Sequence, residues 1–135
     1  EIPCGIYGDE VRFYLLEEHI TTIEKSMTMI AELSAEADIN YNQLVRWVNT
    51  KEDHANRIQH IVSQYFMTQK VKLGSEHYTE KLSILHHILV YAMKCKQTTD
   101  LANTKKLRDL LTRFEHLQHR SPPTPCLNRQ PGAPG

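Results

Sequence analysis

The chain has almost no glycine or proline in its central part. All 5 glycines and 6 prolines except Gly74 lie within residues 1–8 or 122–135. Ordinary domains spread about 7% glycine and about 5% proline through their turns. An all-β chain of this length would need many such turns. A β-sandwich or barrel is therefore excluded, and the middle of the chain is free to form long helices.

Cysteine, net charge and long apolar runs are scarce as well. The 3 cysteines are an odd, sparse set, unlike the disulfide framework of a small secreted domain, and they favour a reducing compartment. Lys and Arg total 16 and Asp and Glu total 16, so no basic field favours nucleic acid or anionic lipid. No window reaches about 18 successive apolar residues, so we expect no membrane span.

The amino terminus has neither an initiator Met nor a charged-then-apolar leader. We therefore expect Glu1 to be a processed end or a truncation. If a leader is removed upstream of it, the protein would be cytoplasmic or organellar.

Four amphipathic segments fill residues 9 to about 120. Asp9, Asn40 and Ser75 are candidate N-caps, and Gly74 separates the second helix from the third. Apolar intervals of three and four favour the shallow crossing angle of an antiparallel up-and-down four-helix bundle. The third helix carries a second apolar row, which suggests that protomers associate. The predicted core stripes are Phe13, Leu16, Ile20, Ile23, Met27 and Ile30; Leu44, Val48, Ala55, Ile58, Val62 and Tyr65; Leu82, Leu85, Leu89 and Ala92, beside a second row of Ile84, Ile88, Tyr91 and Cys95; and Leu107, Leu110, Phe114 and Leu117, with Leu111 alongside.

The sequence thus divides into an irregular arm (1–8), a bundle (9–120) and a Pro/Gly-rich tail (121–135) that we expect to be extended or disordered. Pro122 and Pro125 match PxxP. This weak signal leaves open a protein partner that contacts the tail, although a plain tail is favoured.

Most constellations that could carry chemistry have an ordinary explanation. The histidines lack the Glu-x-x-His spacing of di-iron bundles, and His116 and His119 suit the last turns of a helix, where a cation is favourable. A bundle metal site at His86, His87 or His116 is retained only as a minor alternative. No glycine-rich phosphate loop or Gly-x-Ser-x-Gly elbow is present.

Lys51 is the exception within the helices, because it occupies a position on an apolar stripe. Its long stem favours snorkelling of the ammonium to the surface, and the alternative is a partner at an interface.

The arm carries the residue that ordinary packing explains least well. Cys4 lies between Pro3, which fixes the backbone before the thiol, and Gly5, which permits a sharp bend after it. A segment near a chain end is a poor place to bury a cysteine, so the arm is a candidate metal hook. A single thiolate does not by itself identify a metal site.

The run Pro3-Cys4-Gly5-Ile6-Tyr7 resembles the nickel-containing superoxide dismutases, whose mature chains begin with a hook of the pattern His-Cys-x-x-Pro-Cys-Gly-x-Tyr. The similarity extends through Ile23-Glu24-Lys25-Ser26-Met27 and Gln64-Tyr65-Phe66 to about residue 119, and excludes the tail.

The resemblance implies a four-helix protomer, a homohexamer and one nickel ion in each hook. The implied activity is antioxidant: superoxide is disproportionated to oxygen and hydrogen peroxide through a Ni(II)/Ni(III) cycle. Cys4 matches the second thiolate ligand, Tyr7 the tyrosine that limits access to the metal, and Pro3 and Gly5 the hook geometry. Glu17 and Lys51 are the candidate equivalents of an acidic and a basic side chain beside the hook histidine.

The chain departs from this pattern at its start, since Glu1 corresponds to the first x position and the preceding His-Cys pair is missing. As printed it lacks most of the nickel ligands, so nickel would be absent or incompletely ligated. One hypothesis is that the natural protein has the pair and is an active nickel superoxide dismutase. The alternative is a catalytically silent homologue that acts as an assembly or docking subunit.

Overall fold

The computed structural model describes residues 8–120, which form four α-helices and no strand. These are α1 (Asp9–Ser34), α2 (Tyr41–His60), α3 (Tyr78–Gln97) and α4 (Leu101–Arg120). A π-helix, Ile61–Lys70, continues α2 without a break. The all-α prediction is confirmed. The predicted arm, apart from Gly8, and the tail lie outside the described residues.

The helix starts agree only in part with the predicted caps. Asn40 is confirmed, because its side chain accepts a hydrogen bond from the Gln43 amide at 3.2 Å. Asp9 was expected to cap α1, but Gly8 is the N-cap and Asp9 is the first helical residue. Ser75 was expected to cap α3, but that position belongs to His77, whose φ of 58° places it in the left-handed region.

The helices pack in chain order, and α1 also packs against α4, which closes the bundle. The predicted stripes form its core, since one face of each helix is withdrawn from water. Some predicted stripe positions are less buried than expected: Val48 is exposed, and the half-buried ones include Ile30, Leu44, Leu82, Leu89 and Leu117. The fully buried side chains include Leu16, Ile23, Met27, Ala55, Val62, Phe66, Leu85, Ala92, Leu107 and Phe114.

Three phenylalanines join α1, the π-helix and α4 at one end of the bundle. The ring of Phe66 lies 5.0 Å from Phe13 and 5.0 Å from Phe114, centroid to centroid. Tilted and edge-on aromatic pairs at such distances add to the stability of a core beyond their buried area. This cluster fixes the start of α1, and therefore the point from which the arm leaves the body.

The second apolar row of α3 has an explanation within the chain. Ile84, Ile88 and Cys95 of that row are buried, and Tyr91 packs against the core. The burial of this row is therefore explained within the chain, and the row alone does not require a second protomer. Within residues 8–120, no helix combines the length and apolarity that crossing a bilayer would need.

Candidate functional site

The described residues begin where the predicted hook ends. Pro3, Cys4, Gly5 and Tyr7 lie outside them, so their predicted roles stay predictions. Gly8, in extended conformation with φ −89° and ψ 145°, connects this segment to α1. The described residues therefore include the start of α1, to which the arm is joined in sequence.

At this base, the carboxylate of Asp9 is shared by two other elements. Tyr65 Oη of the π-helix donates to Oδ1 at 2.7 Å, and Gln118 Nε2 of α4 donates to Oδ2 at 3.1 Å. Lys70 Nζ lies 3.4 Å from Oδ1. We call these four residues the Asp9 cluster. Because Asp9 is the first residue of α1, the cluster fixes this end of the helix to the rest of the bundle.

The electrostatics around Asp9 keep the Tyr65 hydroxyl protonated. Burial and the hydrogen bond to Asp9 raise the pKa of Tyr65 well above its usual value. Two cations flank the ring, with Arg12 at 5.0 Å and Lys70 at 5.4 Å from its centroid. Burial lowers the pKa of the nearby Lys81 ammonium, partly offset by the charges of Glu76 and Asp9.

One polar atom of Gln118 lacks a hydrogen-bond partner among the described residues. Its Nε2 is used by Asp9, while its Oε1 is buried and has no hydrogen-bond donor among the described residues. A buried carbonyl without a donor costs about 1–3 kcal/mol.

Glu17, a predicted neighbour of the hook, makes an ion pair on the surface of the bundle. Its Oε2 accepts from Arg108 Nη1 of α4 at 2.7 Å, and Glu24 Oε2 accepts from Nη2 of the same guanidinium at 2.6 Å. Arg108 also donates to the Thr21 hydroxyl at 3.1 Å. All three charged side chains are partly exposed, so Glu17 remains accessible to a further partner.

Lys51 does not snorkel to the surface, contrary to the sequence-based expectation. It is only 4% exposed, and its ammonium donates to three carbonyl oxygens at the end of α3. These belong to Cys95 at 2.7 Å, Lys96 at 2.8 Å and Thr98 at 2.9 Å. The last carbonyls of a helix lack intrahelical partners, and a cation there is favoured by the helix dipole. All three N–H groups are thus used within the chain.

Sequence reasoning missed a histidine pair between α1 and α2. The Nδ1 atoms of His19 and His54 are 2.9 Å apart, and the rings meet edge-on. His86, His87, His116 and His119 are exposed. Only the position of His19 among the apolar residues of α1 could have drawn attention to the pair.

No three His, Cys, Asp or Glu side chains between Gly8 and Arg120 lie close enough to hold a metal ion together. The minor alternative of a metal site at His86, His87 or His116 therefore finds no ligand set there. Cys95 is fully buried, and burial raises the pKa of its thiol to about 11, so it is not a ready thiolate donor. Of the chain's soft donors, Cys4 and Cys126 lie outside the described residues.

A family model described as nickel-containing superoxide dismutase matches residues 1–121. The match covers the arm with Pro3, Cys4, Gly5 and Tyr7, and all four helices, and ends at the tail. Comparison with curated proteins and with solved structures gave no match.

Proposed function

Because the chain belongs to the nickel-containing superoxide dismutase family, we propose that it disproportionates superoxide to oxygen and hydrogen peroxide at a nickel site on the arm. The observation that carries this proposal is the extent of the match, which runs from the first residue through α4. It therefore includes the segment with the remaining hook residues as well as the bundle that carries them.

The donor chemistry of the chain points to the arm as the place for the metal. Soft thiolates suit nickel, and the buried thiol of Cys95 is kept protonated. Cys4 is the proposed thiolate ligand, and a His-Cys pair directly before Glu1 would complete the family's hook. When bound, nickel supplies the one-electron couple that oxidises one superoxide and reduces the next.

The other arm residues have positioning roles in this proposal. Pro3 and Gly5 shape the backbone on either side of Cys4 so that the thiolate can turn toward the ion. Tyr7 would limit which molecules reach the metal. These roles rest on the family resemblance.

The Asp9 cluster supports the proposal by giving the arm a fixed base. Asp9 is two residues from Tyr7 and five from Cys4 in sequence. Its carboxylate accepts hydrogen bonds from Tyr65 and Gln118, so the first residue of α1 is fixed to the rest of the bundle.

Of the two candidate side chains beside the hook, the proposal retains Glu17. Glu17 is partly exposed, and the ion pair with Arg108 uses its carboxylate oxygen Oε2, not Oε1. Lys51 is not retained, since its ammonium already donates to three carbonyls of its own chain.

Assembly into a homohexamer is also part of the proposal. Tyr41, Val45 and Val48 of α2 follow one another at helical spacing and are exposed by 68%, 55% and 36%. An apolar strip of this kind is a surface that protomers can cover. Analytical ultracentrifugation of the nickel-loaded protein should give six chains; a monomer would refute this part.

The test of the function uses the chain with His-Cys directly before Glu1 and a free terminal amine. We expect one nickel ion per chain and catalysed superoxide decay, and we expect Cys4→Ser to lose both. Cys95→Ser is the matched control, because that thiol is remote from the arm in sequence. We expect this substitution to leave nickel content and activity unchanged. Stoichiometric nickel without dismutation, or no nickel, would instead favour the silent homologue.

A further inference from the structure

His19 of α1 and His54 of α2 face each other across the interface between these helices. Their Nδ1 atoms are 2.9 Å apart, which is hydrogen-bond distance. A neutral imidazole carries one ring N–H, whereas an imidazolium carries two. A bond between two Nδ1 atoms requires one to donate and the other to accept. If both rings are charged, two N–H groups point at each other and the bond is lost.

The pair is largely shielded from water. His19 is 7% exposed and His54 is half-buried, with ring planes at 62° and centroids 5.0 Å apart. A shallow pocket of about 440 Å³ borders His19 and is also lined by Arg57 and His60. Water can therefore deliver a proton, but it cannot fully solvate two neighbouring imidazolium ions.

The charged groups around the pair partly offset one another. Glu18 of α1 and Asp53 of α2 favour protonation, while Arg57 of α2 opposes it. On the flank of α1 that packs against α4, Arg108 is engaged with Glu17 and Glu24. Burial is the largest influence and lowers the pKa of both rings below the ordinary value of 6.5.

We propose that the His19–His54 contact is a pH-sensitive clasp between α1 and α2. The clasp is closed when one Nδ1 donates a hydrogen bond to the other, and it is open when both rings are charged. It requires neither nickel nor the arm, so it stands or fails independently of the proposed function. Since α1 bears the arm at its first residue, opening the clasp loosens the helix on which the arm is mounted.

The direction of the pH effect follows from linkage. In the unfolded chain both histidines have ordinary pKa values, so below about pH 6.5 the unfolded state binds more protons than the folded state. The contribution of the clasp to stability is therefore complete above that pH. It is lost as the pH falls through the lowered pKa values of the folded pair.

The first test follows the imidazole resonances of the full chain by NMR as the pH is lowered. We expect His19 and His54 to titrate below the ordinary histidine pKa of about 6.5, and their rings to separate as the second proton binds. Titration of both residues at or above that value would overturn the clasp.

The second test compares His54→Gln with His116→Gln. A Gln amide can donate to or accept from His19 without changing its charge, so the contact survives acidification. Between about pH 7.5 and about pH 5, we expect the folding constant of the unmodified chain to fall roughly tenfold more than that of His54→Gln. His116→Gln should behave like the unmodified chain.

Full pH dependence in His54→Gln would contradict the proposal. If that variant does not fold, the NMR titration of the unmodified chain decides the question alone.

Discussion

Asp9 and Lys51 each connect several elements of the bundle through one charged group. Asp9 accepts hydrogen bonds from residues 56 and 109 positions away, and Lys51 donates to residues 44, 45 and 47 positions away. Asp9 is the first residue of α1, and the ammonium of Lys51 lies against the end of α3. Removing either side chain takes a hydrogen-bond partner from polar groups of other elements.

Tyr65→Phe tests the Asp9 cluster at its shortest bond. Removing the hydroxyl deletes a 2.7 Å hydrogen bond to a carboxylate, and we expect the free energy of unfolding to fall by about 1–2 kcal/mol in urea titrations. The matched control is Tyr14→Phe, since Tyr14 is 69% exposed. An equal effect of the two substitutions would show that the bond to Asp9 contributes nothing measurable.

The raised pKa of Tyr65 predicts a loss of stability in alkali. The pKa of Tyr65 is raised in the folded chain, so its contribution is present below the unfolded value of about 10 and is lost as the pH rises above it. We expect unfolding measurements from about pH 9 to about pH 11 to show a steeper decline in the unmodified chain than in Tyr65→Phe. Parallel curves would contradict the assigned environment.

Lys51→Met tests the contact with α3. Met fills a similar volume but donates nothing, so three carbonyls at the end of α3 lose their donor. We expect a loss of about 2 kcal/mol in the free energy of unfolding. Lys105→Met, at an exposed position of α4, should change it by less than about 0.5 kcal/mol. Equal effects at the two positions would be incompatible with this role of Lys51.

The sequence identifies Lys51 as an anomaly but does not identify its partners. A charge on an apolar stripe indicates that something unusual happens there. The acceptors are backbone carbonyls of another helix, and no sequence pattern marks them. The prediction of Asp9 as a cap failed in a similar way. Its local position suggests a helix start, but its side-chain partners are distant in sequence.

Among the helices, α2 shows both the strength and the limit of sequence patterns. Asn40 followed by Gln43 correctly predicts where the helix begins, because capping is a local interaction. The change to π geometry after His60 was not predicted. In this segment Thr68 Oγ1 donates to Ser63 O and Val71 N donates to Phe66 O, and each acceptor lies five residues earlier in the chain. Apolar spacing alone does not distinguish the two helical forms. His77 at the start of α3 was missed because a left-handed residue other than glycine is uncommon.

Asn40→Ala should destabilise α2 by removing its cap. We expect a loss of about 1 kcal/mol in the free energy of unfolding, the usual cost of replacing a capping Asn by Ala. Asn42→Ala, two residues later on an exposed helical position, should be neutral or slightly stabilising because Ala favours helix interiors. Chemical denaturation of both variants provides the comparison, and the reverse order would contradict the assigned cap.

Glu17→Gln and Glu24→Gln test the connection between α1 and α4. Each carboxylate accepts from the same guanidinium at similar distance. Since these groups are partly exposed, we expect each substitution to cost only about 0.5 kcal/mol, decreasing with added salt. In the nickel-loaded protein with His-Cys before Glu1, only Glu17→Gln should also lower the dismutation rate. Equal rates in the two variants would remove Glu17 from the proposed nickel environment.

At the scale of the whole molecule, the bundle was predictable and the reason for the second row on α3 was not. Helix spacing, together with the absence of Gly and Pro, indicates four helices with apolar faces. It does not show that Ile84, Ile88 and Cys95 are buried by the chain itself. The Asp9 cluster and the His19–His54 pair were equally hidden, because each forms only when distant segments meet. The family was recognised from a compact motif, Pro3-Cys4-Gly5-Ile6-Tyr7, because there the order along the chain carries the information.

The most direct test of the proposed activity is the decay of superoxide after pulse radiolysis. The protein has His-Cys before Glu1 and is measured with and without nickel, alongside Cys4→Ser. We predict that the decay of superoxide becomes first order, at a rate proportional to bound nickel. With Cys4→Ser we expect superoxide to decay at the rate found in buffer alone. A nickel-loaded protein that leaves the decay at the buffer rate, or a Cys4→Ser variant with undiminished activity, would contradict a nickel superoxide dismutase site on the arm.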